Sequence, residues 1–280
     1  MAKPQLQKLC VWCGGKGMSG EHFWSEWTHD YVDYGGTGRK RGLHTRILDV
    51  EVHEPKSWAK NSPLNNLKLR LPCEACNNGW MSTCETAAKP HLIPMITGGS
   101  CTLDADAQRA VATWCVMKAM LAECDKPDLA VCPQADRDEM RTSRTIPDYF
   151  EVRVGRHGLT SKASYLRCAE TLYVGEDGKA PVVPIDAPIK NVMTATWVIG
   201  TLVVAVMAVR SNITPDQMFK VSETLAPRIW PQTTDTIAWP PPVTMTKDHT
   251  MWFAHRLDAS ARMNARAGKL IWTPHPHEKL

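Results

Sequence analysis

The sequence predicts an α+β protein with two domains, a zinc-stapled domain over residues 1–97 and a mixed helical and β domain over residues 98–280. Three observations predict it. Two Cys-x2-Cys pairs lie in the N-terminal third, apolar residues recur at helical spacing after residue 104, and runs typical of strands occupy residues 146–210. Apolar residues make up 43% of the 280 residues, which is enough for a sizeable core.

The cysteines and the net charge restrict the class of protein. The chain carries ten cysteines, but it is not small, and residues 1–8 lack the apolar run of a signal peptide. We therefore expect reduced thiols and a cytoplasmic protein. The formal net charge of +4 is too low to indicate a nucleic-acid partner by itself.

The N-terminal region is predicted to be mostly irregular. Two short strand-like pieces flank a glycine-rich stretch at 34–42, and the second of them runs over 46–52. A helix is predicted to begin after Asn77 and to stop before Pro90, because proline lacks the backbone N–H that a helix needs. Gly98-Gly99 then indicates a linker.

A core helix is predicted to follow this linker. Asp104 is a favourable N-cap residue. The residues at helical spacing that fall mostly on one face are Val111, Trp114, Met117, Lys118 and Leu121. We interpret this helix as part of the hydrophobic core.

Strands are predicted next, at 149–154, 163–167 and 171–174, because apolar and polar residues alternate there. A last apolar strand spans Val192 to Val209. Those 18 residues carry no charge, and ten are Val, Ile or Thr, which favours a buried strand. The run is also short of the roughly 20 residues that cross a membrane, so no membrane span is expected.

The C-terminal part is predicted to contain two helices. Thr214-Pro-Asp-Gln217 has the residues of a helix N-terminus, with Met218, Phe219, Val221 and Leu225 as its buried side. Residues 239–242 form a proline-rich connector, and a last helix covers about 248 to 267 before Gly268.

Four cysteines predict a zinc site. Cys10 and Cys13 form one Cys-x2-Cys pair, Cys73 and Cys76 form the other, and four thiolates suit tetrahedral zinc. Gly14-Gly15 allows the tight turn of a metal knuckle. Two alternatives remain, a redox pair and unligated thiols, and Cys84 competes as a ligand. We prefer the two matching pairs because they give both second cysteines the same geometry.

Two further motifs accompany these pairs. Glu21-His22 follows the first pair, and Asn77-Asn-Gly-Trp-Met81 directly follows Cys76. This order resembles the HNH endonucleases of the ββα-metal fold, in particular a bacterial and phage subgroup with Glu-His and Cys-Asn-Asn-Gly-Trp-Met signatures. The resemblance covers about 90 residues, and a weaker likeness extends around Trp114.

The resemblance implies roles for three residues. His22 matches the histidine that activates water as general base, and Glu21 matches the acid that binds a catalytic Mg²⁺ or Mn²⁺ ion. Asn77 matches the asparagine that orients the histidine. Phosphodiester hydrolysis needs a base with a near-neutral pKa and a cation that stabilises charge on the phosphate.

The chain departs from the family pattern at two positions. Trp80 stands where the family places a His or another polar group that completes the catalytic metal site, and Ser25 stands where the subgroup has proline. Positions 77, 81 and 85 share one face of a helix, so Glu85 is a candidate replacement ligand.

A basic cluster lies between the two cysteine pairs. Arg39, Lys40, Arg41 and Arg46 fall close together with His44 and no acidic residue. Such a cluster either contacts the phosphates of a nucleic acid or forms a charged, solvated loop, and the sequence favours neither.

The expected function is metal-dependent endonucleolytic cleavage of nucleic acid, with DNA expected over RNA. The alternative is a non-catalytic zinc-binding module on a degenerated HNH scaffold, which binds nucleic acid or protein. Residues 98–280 are a possible surface for a protein partner. Trp80 is the residue that separates the two interpretations.

Overall fold

The computed structural model describes residues 9–34, 44–46, 68–158, 163–170, 190–211 and 220–267. Of residues 44–46 and 258–267 only the backbone is described.

The N-terminal region combines a short β-ribbon with a helix. Strand β1 (Glu21–His22) pairs antiparallel with β3 (Lys68–Leu69). Between them in sequence lie a 3₁₀ turn (Glu26–Asp30) and β2 (His44–Arg46). One helical turn, α1 (Glu74–Cys76), continues through a wider π-type turn (Asn77–Met81) into α2 (Ser82–Thr97).

Helix α2 passes through Pro90 and Pro94, so the prediction that it stops before Pro90 is wrong. Each proline removes one helical hydrogen bond, at a cost of about 3 kcal/mol in a helix interior. Pro90 lies on the exposed side, where a carbonyl left without its helical partner can bind water. On the opposite side Leu92, Met95 and Ile96 are fully buried. Burial of each contributes about 1.5–3 kcal/mol, so the three together offset a loss of the same size.

Two helices separate this region from the main sheet. Strand β4 (Cys101–Asp104) precedes α3 (Ala105–Glu123). The Asp104 side chain accepts a hydrogen bond from the backbone N–H of Ala107 at 2.8 Å, which confirms the predicted N-cap. A 3₁₀ turn (Pro127–Leu129) and α4 (Gln134–Ser143) follow.

The main sheet is mixed. Besides β2, its strands are β5 (Phe150–His157), β6 (Ser164–Glu170), β7 (Val192–Ile199), β8 (Leu202–Val209), β9 (Arg228–Trp230) and β11 (Thr244–Met245). The order across it is β11-β5-β8-β7-β6-β2, with β9 also paired to β5. The central pairs are antiparallel, whereas β11 and β2 add in parallel at the edges. Strand β10 (Thr236–Trp239) pairs with β4 in a separate ribbon.

The apolar run at 192–209 is buried β structure, as predicted, but it forms two strands instead of one. Gly200 has φ +57° and, with Thr201, turns the chain from β7 into β8. A Cβ atom on Gly200 would lie 2.3 Å from the carbonyl oxygen of Ile96. The Thr201 backbone N–H donates to the same oxygen at 2.9 Å. The hairpin turn therefore covers the C-terminal end of α2.

Helices cover both faces of the sheet. Side chains of α2 and α3 pack on one face, and α5 (Lys247–Ala267) packs on the other. Because both faces are covered, β7 and β8 are buried at every position and carry no charged residue, instead of alternating between buried and exposed side chains. In the described part of the chain, no helix combines the length and apolar character needed to cross a membrane.

Several predicted elements fall partly or wholly outside the described residues. The strand at 171–174 and the start of the helix at Thr214 lie there, and so do most of 46–52 and Gly268. Val221 and Leu225 belong to an irregular segment and pack against a hydrophobic cluster that includes Phe253 of α5. The predicted boundary near residue 97 stays a prediction. The described residues on its two sides share one hydrophobic core.

Candidate functional site

The first cysteine pair forms a tight turn. The backbone N–H of Gly14 donates to the Cys10 carbonyl at 2.9 Å, and that of Cys10 donates to the Gly15 carbonyl at 2.9 Å. Gly14 has φ +66°, a backbone region that glycine adopts without strain. The backbone N–H of Gly15 also points at the Cys13 sulfur, 3.4 Å away. This geometry agrees with the predicted role of the two glycines.

The second cysteine pair lies at the start of α1. Cys73 is the N-cap residue, and its sulfur accepts a hydrogen bond from the backbone N–H of Cys76 at 3.5 Å. Backbone bonds attach this pair to the first one across the long gap in sequence. Val11 donates to the Leu71 carbonyl at 3.1 Å, and Glu74 donates to the Gly17 carbonyl at 2.9 Å.

The four predicted zinc ligands meet in space. The sulfur atoms of Cys10, Cys13, Cys73 and Cys76 all lie within 4.8 Å of one another. In a tetrahedral site with Zn–S bonds of about 2.3 Å, the sulfurs are about 3.8 Å apart. The Cys13–Cys73 pair, at 3.6 Å, is close to that value. The four cysteines are therefore placed to hold a structural metal ion such as zinc, and Cys84 lies outside the cluster.

The thiols of this cluster differ in their tendency to ionise. Burial raises the pKa of Cys76 and Cys13 above the ordinary thiol value. Burial also acts on Cys73, but the N–H of Cys76 and the neighbouring thiols outweigh it and lower its pKa to about 7. Four adjacent sulfurs cannot all become anionic without a cation, so binding of a divalent metal releases protons.

His22 lies on the β1–β3 ribbon, whose second strand leads through residues 70–72 to Cys73 of the cluster. It is directly opposite Lys68 in the antiparallel register, so the two side chains emerge on the same face. The ring is half-buried, 5.9 Å from that of His29 and perpendicular to it. Burial, followed by the positive charge of Lys68, lowers the pKa of His22 below its ordinary value near 6.5. Glu26 and Glu21 act in the opposite direction. Burial and Lys68 therefore favour the neutral form of the ring.

Glu21 is paired with a lysine from α3. The Lys118 ammonium group forms a salt bridge with Oε1 of Glu21 and also donates to the backbone carbonyl of His22 at 3.0 Å. Both side chains are buried, with Lys118 5% and Glu21 9% exposed. A buried charge needs a partner of opposite sign, so each group satisfies the other. This pair joins the ribbon to the core helix.

Asn77 is bonded through its backbone, whereas Trp80 packs in the core. The Asn77 backbone N–H donates to the Cys73 carbonyl at 2.9 Å. The hydrogen bonds among described residues include none between the Asn77 side chain and His22. Trp80 is buried, packs edge-on against Trp12 with ring centroids 4.8 Å apart, and carries the Arg144 guanidinium 4.8 Å above its ring. Trp80 thus connects the first knuckle to α4.

Glu85 is engaged by an aromatic side chain. The indole N–H of Trp27 donates to Oε1 of Glu85 at 3.0 Å, and the Lys89 ammonium lies 5.6 Å from the Trp27 ring centroid. Glu85 therefore faces the 3₁₀ turn that follows His22, where it anchors Trp27.

The basic cluster falls largely outside the described residues. Arg39, Lys40 and Arg41 lie there entirely. Arg46 is described by its backbone alone, as the last residue of β2, opposite Cys168 of β6. The contact of this cluster with phosphates stays a prediction.

The sequence patterns did not single out Lys118 or Lys68 as functional. Lys118 carried a signal, because a lysine on the apolar face of a core helix needs a buried carboxylate. Lys68 had no such signal in the sequence, because its place opposite His22 depends on the pairing of β1 with β3, which residues 23–67 separate along the chain.

Comparison with family models, curated proteins and solved structures found no match to this chain.

Proposed function

We propose that the chain hydrolyses phosphodiester bonds of nucleic acid, with His22 as the general base. The observation that carries the proposal is the half-buried His22 ring with its lowered pKa, directly opposite Lys68 on the ribbon that leads into Cys73. A neutral imidazole can accept a proton, and this is the form that burial and Lys68 favour. DNA is the expected substrate.

The proposed hydrolysis needs no reactant other than the phosphodiester and water. His22 takes a proton from a water molecule, and the water oxygen forms a bond to phosphorus. The P–O bond to the leaving sugar oxygen breaks, and this oxygen takes a proton from solvent. A positioned general base accelerates such a reaction by about 10²- to 10⁴-fold.

The arrangement of elements supports this proposal. An antiparallel two-stranded ribbon, β1 with β3, leads into a helical segment that begins at α1, which is the order that ββα-metal nucleases share. His22 lies on the first strand, and Cys73 and Cys76 lie where the helix begins. The resemblance in sequence and this order of elements support the same family.

The residues expected to bind a catalytic Mg²⁺ or Mn²⁺ do not fit such an ion. The Glu21 carboxylate is neutralised by Lys118, Glu85 accepts from Trp27, and Trp80 is an indole buried in the core. Mg²⁺ demands several oxygen ligands in near-octahedral geometry, and this set offers none without a competing partner. The proposed hydrolysis therefore has no step through a catalytic ion.

We assign the four-cysteine cluster to one structural zinc ion. Zinc would join the loop before β1 to the start of α1, and so hold the His22 ribbon against the helical segment that follows. Soft thiolates select zinc over hard ions such as Mg²⁺. Its contribution is to folding, because four protein ligands leave no open coordination position.

A second function is favoured by one observation. The groups at the expected ion site, Glu21, Glu85 and Trp80, are all engaged in contacts within the chain. The same internal contacts of Glu21, Glu85 and Trp80 are expected in a protein that binds nucleic acid or protein but no longer cleaves. Incubation of plasmid, single-stranded DNA and RNA with the protein, with Mg²⁺, Mn²⁺ or chelator, separates the two functions. Binding without any cleavage would leave only the second.

The rate of cleavage is expected to depend on the protonation of His22. Because its pKa is lowered, kcat/KM should be constant at neutral pH and fall on acidification with a midpoint below 6.5, by about tenfold per pH unit. The Lys68→Gln variant should move the midpoint upward, since the charge of Lys68 lowers the pKa. A pH–rate profile of both proteins tests this, and a midpoint above 6.5 in the wild type would contradict it.

The basic cluster is expected to strengthen binding to any sequence. Replacement of Arg39, Lys40, Arg41 and Arg46 by alanine should weaken DNA binding and flatten the dependence of log K on log salt, because fewer counterions are released. Fluorescence anisotropy at several salt concentrations measures both. An unchanged slope would show that the cluster is only solvated.

A further inference from the structure

We propose that the Lys118 ammonium group takes the place of a divalent ion at Glu21, so that no such ion binds there, and that Lys68 supplies the positive charge that a substrate phosphate meets at His22. The assignment of Lys118 follows from its contacts with Glu21 and the His22 carbonyl and does not require the proposed function. The part that concerns Lys68 rests on the proposed function, because it assigns a contact to the substrate phosphate.

Lys118 already occupies the place of a cation at Glu21. Its ammonium group is buried with the carboxylate and donates in addition to the His22 carbonyl. A divalent ion bound to the same carboxylate would lie beside this ammonium group, and the low dielectric of the interior would strengthen their repulsion. Removal of Lys118 from the site is equally unfavourable, because a buried carboxylate would lose its partner. The pair therefore excludes the ion.

Other ligands for an ion at this place are also engaged. Among the described residues, only the four cysteines form a group of three or more His, Cys, Asp or Glu side chains with converging ligand atoms. Glu85 faces Trp27, and the position of the family's polar ligand is taken by Trp80. One neutralised carboxylate is a weak ligand set for a hard cation.

Lys68 is placed to meet a phosphate that reaches His22. It is exposed, whereas Lys118 is buried, and it is the cross-strand partner of His22. Directly opposed residues have Cβ atoms about 4.5–5.5 Å apart, so the ammonium and the imidazole can contact one phosphate. A lysine acts on phosphate as a mobile point charge. Lys68 would stabilise the negative charge that grows on the phosphate oxygens.

A metal-binding experiment tests the Lys118 part without any need for cleavage. The zinc-loaded wild type is compared with the paired Glu21→Gln and Lys118→Met variant, which removes both charges together and leaves no unpaired buried charge. Bound Mn²⁺ is measured by electron paramagnetic resonance. We expect the two proteins to bind Mn²⁺ equally. A site for Mn²⁺ that is present in the wild type and lost in the paired variant would overturn the proposal.

A cleavage experiment tests the Lys68 part. We expect cleavage to continue in chelator while the zinc content of the protein, measured in the same sample, is retained. The Lys68→Gln variant should lower kcat/KM about ten- to hundredfold, and Lys68→Arg should restore most of it. Lys247→Gln, at an exposed lysine at the start of α5, is the control and should have no effect.

The outcomes separate this inference from the proposed function. Cleavage that stops in chelator with zinc retained, and returns with Mg²⁺, overturns the inference but keeps the function. A Lys68→Gln variant with full activity overturns the assignment of Lys68. If no condition yields cleavage, the proposed function fails and the Lys68 part falls with it. The Mn²⁺ comparison then decides the Lys118 part by itself.

Discussion

Replacement of Cys73 by serine is expected to release zinc and to unfold the N-terminal region. Cys73 is the N-cap residue of α1, and its sulfur is 3.6 Å from that of Cys13. A structural zinc site contributes about 10–16 kcal/mol of apparent binding free energy in small peptides, which exceeds the whole stability of many domains. The cluster joins the loop before β1 to the start of α1, together with the backbone bonds from Val11 to Leu71 and from Glu74 to Gly17.

Three measurements check this prediction. Elemental analysis should find one zinc ion per wild-type chain and none in Cys73→Ser. Limited proteolysis and near-ultraviolet circular dichroism should show loss of packing around Trp12, which lies inside the first knuckle and is fully buried. The matched control is Cys101→Ser, at a half-buried cysteine of β4 outside the cluster, which should keep its zinc. A folded N-terminal region without zinc would refute the assignment.

Replacement of His22 by alanine is expected to reduce cleavage by about 10²- to 10⁴-fold, the usual contribution of a general base. The fold should survive. Lys118 donates to the backbone carbonyl of His22, a contact that the substitution leaves in place, and the four cysteines lie outside the ribbon. Zinc content and the melting temperature should therefore remain close to those of the wild type.

The control for this variant is His91→Ala, at a half-buried histidine of α2. It makes the same chemical change away from the ribbon, and it should leave cleavage unchanged. Equal trace activity in the wild type, His22→Ala and His91→Ala would identify a contaminant and end the role of His22. A wild type that binds nucleic acid but never cuts it would establish the non-catalytic alternative.

The structure changes the balance between these functions at particular residues. Glu85, expected as a replacement ligand, accepts a hydrogen bond from Trp27, and Trp80 packs between Trp12 and Arg144. Both contacts reduce the case for a catalytic ion. The case for His22 as a base does not depend on them, because its lowered pKa follows from burial and from Lys68.

The sequence by itself determined the features that depend on neighbours along the chain. Spacing identified the two cysteine pairs, Asp104 marked the start of α3, and the apolar run at 192–209 indicated buried β structure. In each case a short-range rule of geometry or capping suffices. The same rules identified Gly14, where the knuckle requires a positive φ.

Features that depend on contacts between segments distant in sequence were decided only by the tertiary structure. The prolines of α2 are tolerated because Leu92 and Met95 bury themselves in the core, and the hairpin at Gly200 forms where the chain meets the end of α2. Lys118 reaches Glu21 from 97 residues away. Whether a carboxylate binds a metal ion or a lysine is set by such pairings. They arise from packing and burial over the whole chain, which local spacing does not encode.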